Sequence, residues 1–211
     1  MRPLTLGRLL RPLSMDRRTF LLALTVAATT PAVRSLAFTA QDVEFLRALE
    51  RAQLDRPRVL TATARIAPAT EPGIPLVIHG RVFRHDGRTP APGVVVFAYH
   101  TDATGRYDVP SAGPHSWRLR GWARTDADGR FEFATIRPAP YPNRNVAAHV
   151  HLSIDGPGVP RQDAGLLFEG DPFLTAAEQQ DSAKAGVFGS VRPVEVRDGV
   201  QHVTLNIQLA R

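Results

Sequence analysis

Short alternations of apolar and polar residues, separated by turn signals, dominate the chain from Leu76 onward. Residues 130–136 and 200–209 alternate with a period of two, which predicts strands that bury one face. Residues 93–99 are almost entirely apolar, as is typical of a strand that is buried on both faces. Further strands are predicted at 77–83, 122–125 and 148–154.

Helices are few and small in this pattern. Thr39 can cap a helix that runs to Leu54, because apolar residues recur there at helical spacing. Thr175 begins a capping box, which predicts a second helix over residues 176–185.

The domain organisation follows from where the strands begin. Residues 38–75 are predicted to form the N-terminal helix and a linker or extended arm. The linker or arm is predicted because residues 56–75 contain four prolines and show no periodicity of apolar residues. Residues 76–211 then contain many short strands and only short helices in loops. This combination predicts an all-β sandwich.

The first 37 residues have the features of an export signal. A twin-arginine pair at 17–18 is followed by an apolar run over 20–28, far shorter than the roughly 20 residues that span a bilayer. The pattern resembles a twin-arginine signal, which sends folded proteins across the bacterial inner membrane. A buried amphipathic helix is the alternative. Translation from Met15 would leave out residues 1–14.

The positive charge lies almost entirely in this leader. Of 26 basic and 20 acidic residues, six arginines and one aspartate lie in residues 1–37, which gives +5; the remaining 20 bases and 19 acids give +1. A nucleic-acid partner is therefore not expected, because the body of the protein carries no excess positive charge. The chain has no cysteine, which excludes disulfides and thiolate metal sites.

Two histidines stand two positions apart on the predicted strand 148–154. His149 and His151 therefore project from the same face of that strand. A pair of this kind is a common way to present two metal ligands from a rigid element. Two histidines that merely share a surface face are the alternative.

Tyrosine is rare in this chain and adds a second kind of donor. The three tyrosines are Tyr99, Tyr107 and Tyr141, and prolines surround the last of them. A phenolate oxygen is a hard anionic ligand that favours a ferric ion. Ordinary packing with a hydrogen-bonded hydroxyl is the alternative for each tyrosine.

Six segments, taken in order, resemble one known family, that of the intradiol ring-cleavage dioxygenases such as protocatechuate 3,4-dioxygenase and catechol 1,2-dioxygenase. They are spread over about half the chain at close to the family's spacing. The matching segments are 80–83, 92–107, 119–138, 140–142, 149–151 and 166–172.

The resemblance implies a prealbumin-like β-sandwich with one non-haem Fe(III) per chain. It implies that Tyr107, Tyr141, His149 and His151 hold the iron, and that the substrate displaces Tyr141. The implied substrates are a small aromatic diol and O2, and the ring opens between the two hydroxyl-bearing carbons to give a muconate-type diacid. The metal would serve as Lewis acid and template.

The sequence departs from the family at two positions that would face the substrate. The family often has an arginine where this chain has Val146, and a glutamine where it has Gly165. Arg144 is the candidate to replace the arginine and stabilise negative charge on the substrate. His100 is a candidate to face the pocket. The remaining histidines are interpreted as ordinary surface or packing residues: His79, His85, His115 and His202.

Two other functions stay open at this point. One is a non-catalytic prealbumin-like binding module of the cell envelope, which would have no reason to keep the tyrosines and histidines. The other is a hydrolase with a different metal, for which Asp155 and Asp163 are poorly spaced carboxylate ligands. The leader predicts a periplasmic or cell-envelope location and the twin-arginine export machinery as a partner, and a homo-oligomer is compatible with the sequence.

Overall fold

The computed structural model describes Arg47, Glu50, and residues 51–107 and 117–211. The predicted export signal, most of the predicted N-terminal helix and His115 lie outside these residues. The described end of that helix, up to Leu54, is helical. Among the described residues, no helix has the length and apolar character needed to cross a membrane.

Two five-stranded sheets face each other and form a β-sandwich. Sheet A has the strand order β1-β5-β2-β10-β9, and sheet B has the order β4-β3-β6-β7-β8. The strands are β1 (Thr63–Arg65), β2 (Pro75–Phe83), β3 (Val95–His100), β4 (Arg120–Arg124), β5 (Arg130–Ile136), β6 (His149–Gly156), β7 (Val159–Phe168), β8 (Val191–Arg192), β9 (Glu195–Arg197) and β10 (Val200–Gln208). The predicted all-β sandwich is confirmed.

The core lies between the sheets and is supplied by alternate residues of most strands. In β10 the apolar residues Val203, Leu205 and Ile207 are buried while their neighbours are more exposed. All residues of β3 are buried, because its outward face is also covered, by aromatic side chains. The apolar pattern of the sequence therefore follows from which faces of each strand are covered.

Gly80 lets two strands of sheet A pack closely. It pairs with Phe131 across β2 and β5, and a Cβ atom at Gly80 would lie 2.0 Å from the Phe131 ring. The ring fills the space that a side chain would need, so this position accepts only glycine without rearrangement of the core.

The predicted helix over residues 176–185 is confirmed as α1 (Ala176–Ala185). Thr175 caps it, and Glu178 completes the capping box. A short 3-10 turn, Gly186–Phe188, follows.

Four strands were missed or shortened in the prediction from sequence. β1 lies within the expected linker or arm and pairs in parallel with β5. The first half of β7 and the short strands β8 and β9 were also not predicted. These strands lie at sheet edges or carry mostly exposed polar residues, so they lack the apolar alternation that identifies a strand.

Candidate metal centre

Four side chains converge at one end of β6. The Tyr107 and Tyr141 hydroxyl oxygens lie 2.6 Å apart. The Tyr141 hydroxyl oxygen lies 3.0 Å from Nε2 of His149 and 3.4 Å from Nε2 of His151. The two Nε2 atoms lie 2.9 Å apart. The structure thus brings together all four residues that the sequence singled out as metal ligands.

Strand β6 supplies the two histidines from its outer face, the one that points away from the core. Val150 and Leu152, which alternate with them, are fully buried between the sheets. The Nδ1 atom of His149 lies 2.7 Å from the carbonyl oxygen of Ala147. In the neutral ring the proton on Nδ1 donates to that carbonyl, so Nε2 presents its lone pair to the cluster.

The start of β6 is anchored by a carboxylate. The backbone N–H of Ala148 donates to Asp171, 3.1 Å away, and Asp171 also accepts from the backbone of Phe173. This contact holds the segment that leads into His149 against the loop after β7.

Tyr107 is positioned by a compact loop after β3. Asp102 accepts hydrogen bonds from the backbone N–H groups of Thr104 and Arg106, at 2.8 and 3.1 Å. Gly105 has φ of +80°, and a Cβ atom there would lie 1.9 Å from the carbonyl oxygen of Pro140. Glycine therefore allows this loop to touch the loop that carries Tyr141.

Tyr141 lies in the second loop, between Pro140 and Pro142. The two loops are also tied by backbone groups: the N–H of Ala139 donates to the carbonyl of Asp102, and the Thr101 hydroxyl donates to the carbonyl of Ala139. These bonds place the two phenol rings with their centroids 5.9 Å apart.

Burial controls the protonation of this cluster. It raises the pKa of Tyr107, and the nearby Tyr141 adds to the effect. It also raises the pKa of Tyr141, although the hydrogen bond with Tyr107 and the charge of Arg144 act in the opposite direction. Burial lowers the pKa of His151 to about 3, with further contributions from His149 and His100. The buried cluster therefore favours uncharged groups, and a bound cation would be needed to favour the phenolates.

The donor set fits a hard, highly charged metal ion. Ligand atoms that bind one ion at about 2.0–2.2 Å lie about 3 Å from one another, and four of the six pairs among these atoms lie 2.6–3.4 Å apart. Two phenolates would offset most of a ferric charge, while the imidazoles supply neutral donors. Among the described residues, no group of three or more His, Asp or Glu side chains is arranged to hold a metal. Among these residues no carboxylate joins His149 and His151, so a centre built from the described side chains would depend on the tyrosines.

Two aromatic residues that sequence reasoning did not assign to the site support it. The Tyr99 ring stacks on His151 with centroids 4.7 Å apart and an interplanar angle of 11°. The buried Trp117 ring lies 4.6 Å from Tyr107. Tyr99 faces His151 directly across the β3–β6 ladder, so the alternation of the two strands was the signal that identified it.

The positions at which the sequence departs from the family, and the proposed replacement Arg144, lie around the cluster. Arg144 is exposed, and its backbone N–H donates to the Tyr141 carbonyl, 3.3 Å away. Val146 is 38% exposed. Gly165 faces His151 across β6 and β7, and a Cβ atom there would meet nothing within 4 Å. The space beside His151 is thus open at the position where the related family often has glutamine.

His100 does not join the cluster. It is buried, and its two ring nitrogens lie 2.7 Å from the Thr101 carbonyl oxygen and 2.7 Å from the Thr135 hydroxyl. His100 therefore links the end of β3 to sheet A and does not face the pocket, for which it was a candidate.

A family model described as "Dioxygenase" matches residues 51–210, which contain all four converging side chains. The chain belongs to the intradiol ring-cleavage dioxygenase family.

The names of relatives of this chain refer to several diols. Catechol 1,2-dioxygenase 2 of Acinetobacter lwoffii is 29% identical over 150 residues, which are 64% of this chain and 54% of that protein. The 6-chlorohydroxyquinol 1,2-dioxygenase of Cupriavidus pinatubonensis is 33% identical over 118 residues, which are 48% of this chain and 42% of that protein. The chain thus spans about half the length of these relatives.

Solved structures share the fold. The dioxygenase domain of a dioxygenase and carbohydrate-binding protein fusion from Streptomyces sp. SirexAA-E has a TM-score of 0.56 and 25% identity, over 72% of this chain and 90% of that chain. Catechol 1,2-dioxygenase from Pseudomonas arvilla has a TM-score of 0.56 and 20% identity, over 80% of this chain and 68% of that chain.

Proposed function

We propose that this protein is a non-haem Fe(III) intradiol dioxygenase that cleaves a catechol-type ring between its two hydroxyl-bearing carbons with O2. The observation that carries the proposal is that the Tyr141 hydroxyl lies 2.6–3.4 Å from the Tyr107 hydroxyl and from Nε2 of both His149 and His151. Family membership supports the same chemistry. We assign Tyr107, Tyr141, His149 and His151 as ligands of one iron per chain.

A ferric ion held by these four residues would supply Lewis-acid chemistry and a template for the diol. The protein's own residues do the rest. His149 and His151 hold their lone pairs in fixed directions, because β6 is rigid and His149 is tied to Ala147. Tyr107 is held by buried aromatic neighbours.

Tyr141 is suited to leave the cluster and accept a proton from the diol. It lies on a loop, its phenol group contacts the other three donors, and its surroundings raise the pKa of the hydroxyl. A released phenolate in such surroundings is a strong base, so it takes up a proton readily. Tyr107 is more firmly packed and is expected to stay in place.

Arg144 is the residue that we expect to stabilise negative charge on the substrate. It follows Tyr141 in the same turn, and its charge already lowers the pKa of that residue. Its guanidinium group is exposed and free to turn toward a diol in the open space beside His151.

We further propose that the protein is exported to the periplasm or cell envelope by the twin-arginine machinery. The support is the arginine pair with its short apolar run at the start of the chain. The route suits this protein, because it carries folded chains and the donor cluster exists only in the folded state.

The visible absorption spectrum, measured together with the iron content, tests the proposed activity. We expect a red-brown tyrosinate-to-iron charge-transfer band, about one iron per chain, and a spectral change when a catechol is added. A colourless protein that does not take up ferric iron would contradict the proposal. The non-catalytic binding module would then be the better explanation of the sandwich.

A further inference from the structure

Two histidines and a carboxylate meet on the outer face of sheet A. His79 lies on β2, His202 on the neighbouring strand β10, and Glu132 lies on β5 directly across from His79. The Nε2 atom of His79 lies 3.0 Å from Nδ1 of His202. This group lies in the opposite sheet from the strand that carries the tyrosine–histidine cluster, so it is a separate feature.

Glu132 determines which nitrogen of His79 is available. A carboxylate oxygen of Glu132 lies 3.1 Å from Nδ1 of His79. A carboxylate accepts, so the proton of His79 lies on Nδ1 and the lone pair of Nε2 points toward His202. Metal-binding histidines in proteins are commonly oriented by a carboxylate in this way.

The distance between Nε2 of His79 and Nδ1 of His202 suits two ligands of the same metal ion. Two nitrogens bound at about 2.0–2.1 Å to one metal lie about 2.9–3.4 Å apart, and the observed separation is 3.0 Å. The two rings are nearly parallel, at 8° to one another. Both are carried by adjacent, hydrogen-bonded strands, which keeps the pair fixed.

An ion can reach the pair from solvent. The side chains of His79 and Glu132 are each 41% exposed, and His202 is half-buried. Glu195 on the edge strand β9 lies directly across from His202. Glu195 is paired with Arg197, so the negative charge that favours a divalent cation comes mainly from Glu132.

We propose that His79 and His202 form an accessory site for a borderline divalent metal ion, with Cu2+ bound most tightly. Imidazole nitrogens suit copper, nickel and zinc, and the order of stability among divalent ions places copper first. The protein supplies two ligands, so water completes the coordination and the affinity is below that of a three- or four-ligand site. This proposal differs from the interpretation of His79 and His202 as ordinary surface or packing residues.

The test is a copper titration of the full-length protein after it has been loaded with ferric iron, so that the tyrosine–histidine cluster is occupied. Equilibrium dialysis counts the copper, and electron paramagnetic resonance detects nitrogen ligands. We expect one additional copper per chain with nitrogen couplings. His79→Gln and His202→Gln should each abolish it, and Glu132→Gln should weaken it on the order of 10- to 100-fold.

His85→Gln removes an exposed histidine outside the pair and is the matched control, which should bind copper like the wild type. The same titration in the full chain carrying His149→Ala and His151→Ala keeps the test valid if the protein takes up no iron. Circular dichroism confirms that each variant is folded. Unchanged copper binding in both His79→Gln and His202→Gln, or a copper signal without nitrogen couplings, would show that the pair is only a hydrogen bond.

Discussion

The Nε2 atoms of His149 and His151 lie 2.9 Å apart on the outer face of β6, and their rings meet at 84°. Two imidazoles at this angle direct their lone pairs into one small volume. The volume is closed on its other side by Tyr141, whose hydroxyl reaches both nitrogens. The Tyr141 hydroxyl and the two histidine nitrogens thus converge, and the Tyr107 hydroxyl adjoins them through its contact with Tyr141.

Removing one donor should therefore abolish metal binding while the sandwich stays folded. We expect His149→Ala and Tyr107→Phe to lose the charge-transfer band and most ring-cleaving activity, because each variant lacks one of the four ligands that hold the ion. Iron content and the visible spectrum measure this, and a thermal melt checks the fold. Full activity in either variant would rule out the assigned ligands.

Tyr99→Leu should lower the affinity for iron without removing a ligand. The flat phenol ring supports His151 at a centroid distance of 4.7 Å, and leucine offers no such surface. Loss of an orienting neighbour typically lowers metal affinity on the order of tenfold or more. Competition with a chelator measures the affinity. Tyr99→Phe keeps the ring and should behave like the wild type, and equal iron retention in both variants would contradict the supporting role.

Arg144→Gln should lower kcat/KM and leave the iron and its spectrum unchanged. A charge-stabilising donor in a dry site is worth about 10²–10³ in rate, and an exposed arginine should contribute less, about tenfold. Steady-state oxygen uptake with a catechol measures this, and Arg144→Lys should restore part of the loss. Arg88→Gln, at an exposed turn, is the control. Unaltered kinetics in Arg144→Gln would remove this residue from the mechanism.

His100 should make the stability of the protein depend on pH. Burial lowers its pKa to about 4 in the folded state, compared with 6.5 when exposed. The unfolded chain therefore binds a proton first as the pH falls. The contribution of His100 to the free energy of unfolding should be at its maximum above pH 6.5. It should fall by about 3 kcal/mol between pH 6.5 and 4, and then level off.

Denaturant unfolding of the metal-free protein across this pH range measures the effect of His100, because the same measurement on His100→Gln isolates its contribution. The variant should show a shallower loss of stability, while His85→Gln should follow the wild type. Parallel profiles for His100→Gln and the wild type would mean that His100 does not titrate in this way.

Two glycines should respond in opposite ways to an added methyl group. Gly80→Ala places a carbon 2.0 Å from the Phe131 ring, so it should cost about 1–3 kcal/mol of unfolding free energy. Gly165→Ala meets nothing within 4 Å and should be neutral or stabilising by up to about 1 kcal/mol. Chemical denaturation of both variants measures the difference. Equal destabilisation would contradict the packing described for β2 and β5.

Much of the fold could be predicted from sequence, because strands such as β5 and β10 bury one face and so carry an apolar alternation. The capping box at Thr175 fixed the start of α1 for a similar local reason. β1 and β9 escaped prediction because edge strands are stabilised by backbone pairing, which leaves no pattern in the side chains.

Only part of the candidate site could be predicted from local sequence patterns. The spacing of His149 and His151 gave their shared face directly. The meeting of Tyr107 and Tyr141 depends on two loops that are distant in sequence, so only the family resemblance indicated it. The contacts of His79 with His202 and Glu132 arise from strand order, which no local pattern encodes.

The contact of Gly105 with Pro140 joins the loops that present the two tyrosines. A donor set that is divided between these loops and β6 has no counterpart in the unfolded chain. Any ion that it binds must therefore shift the folding equilibrium toward the native state, by an amount that grows with the logarithm of the free ion concentration. Metal supply would then determine how long the protein survives proteolysis as well as whether it can turn over substrate.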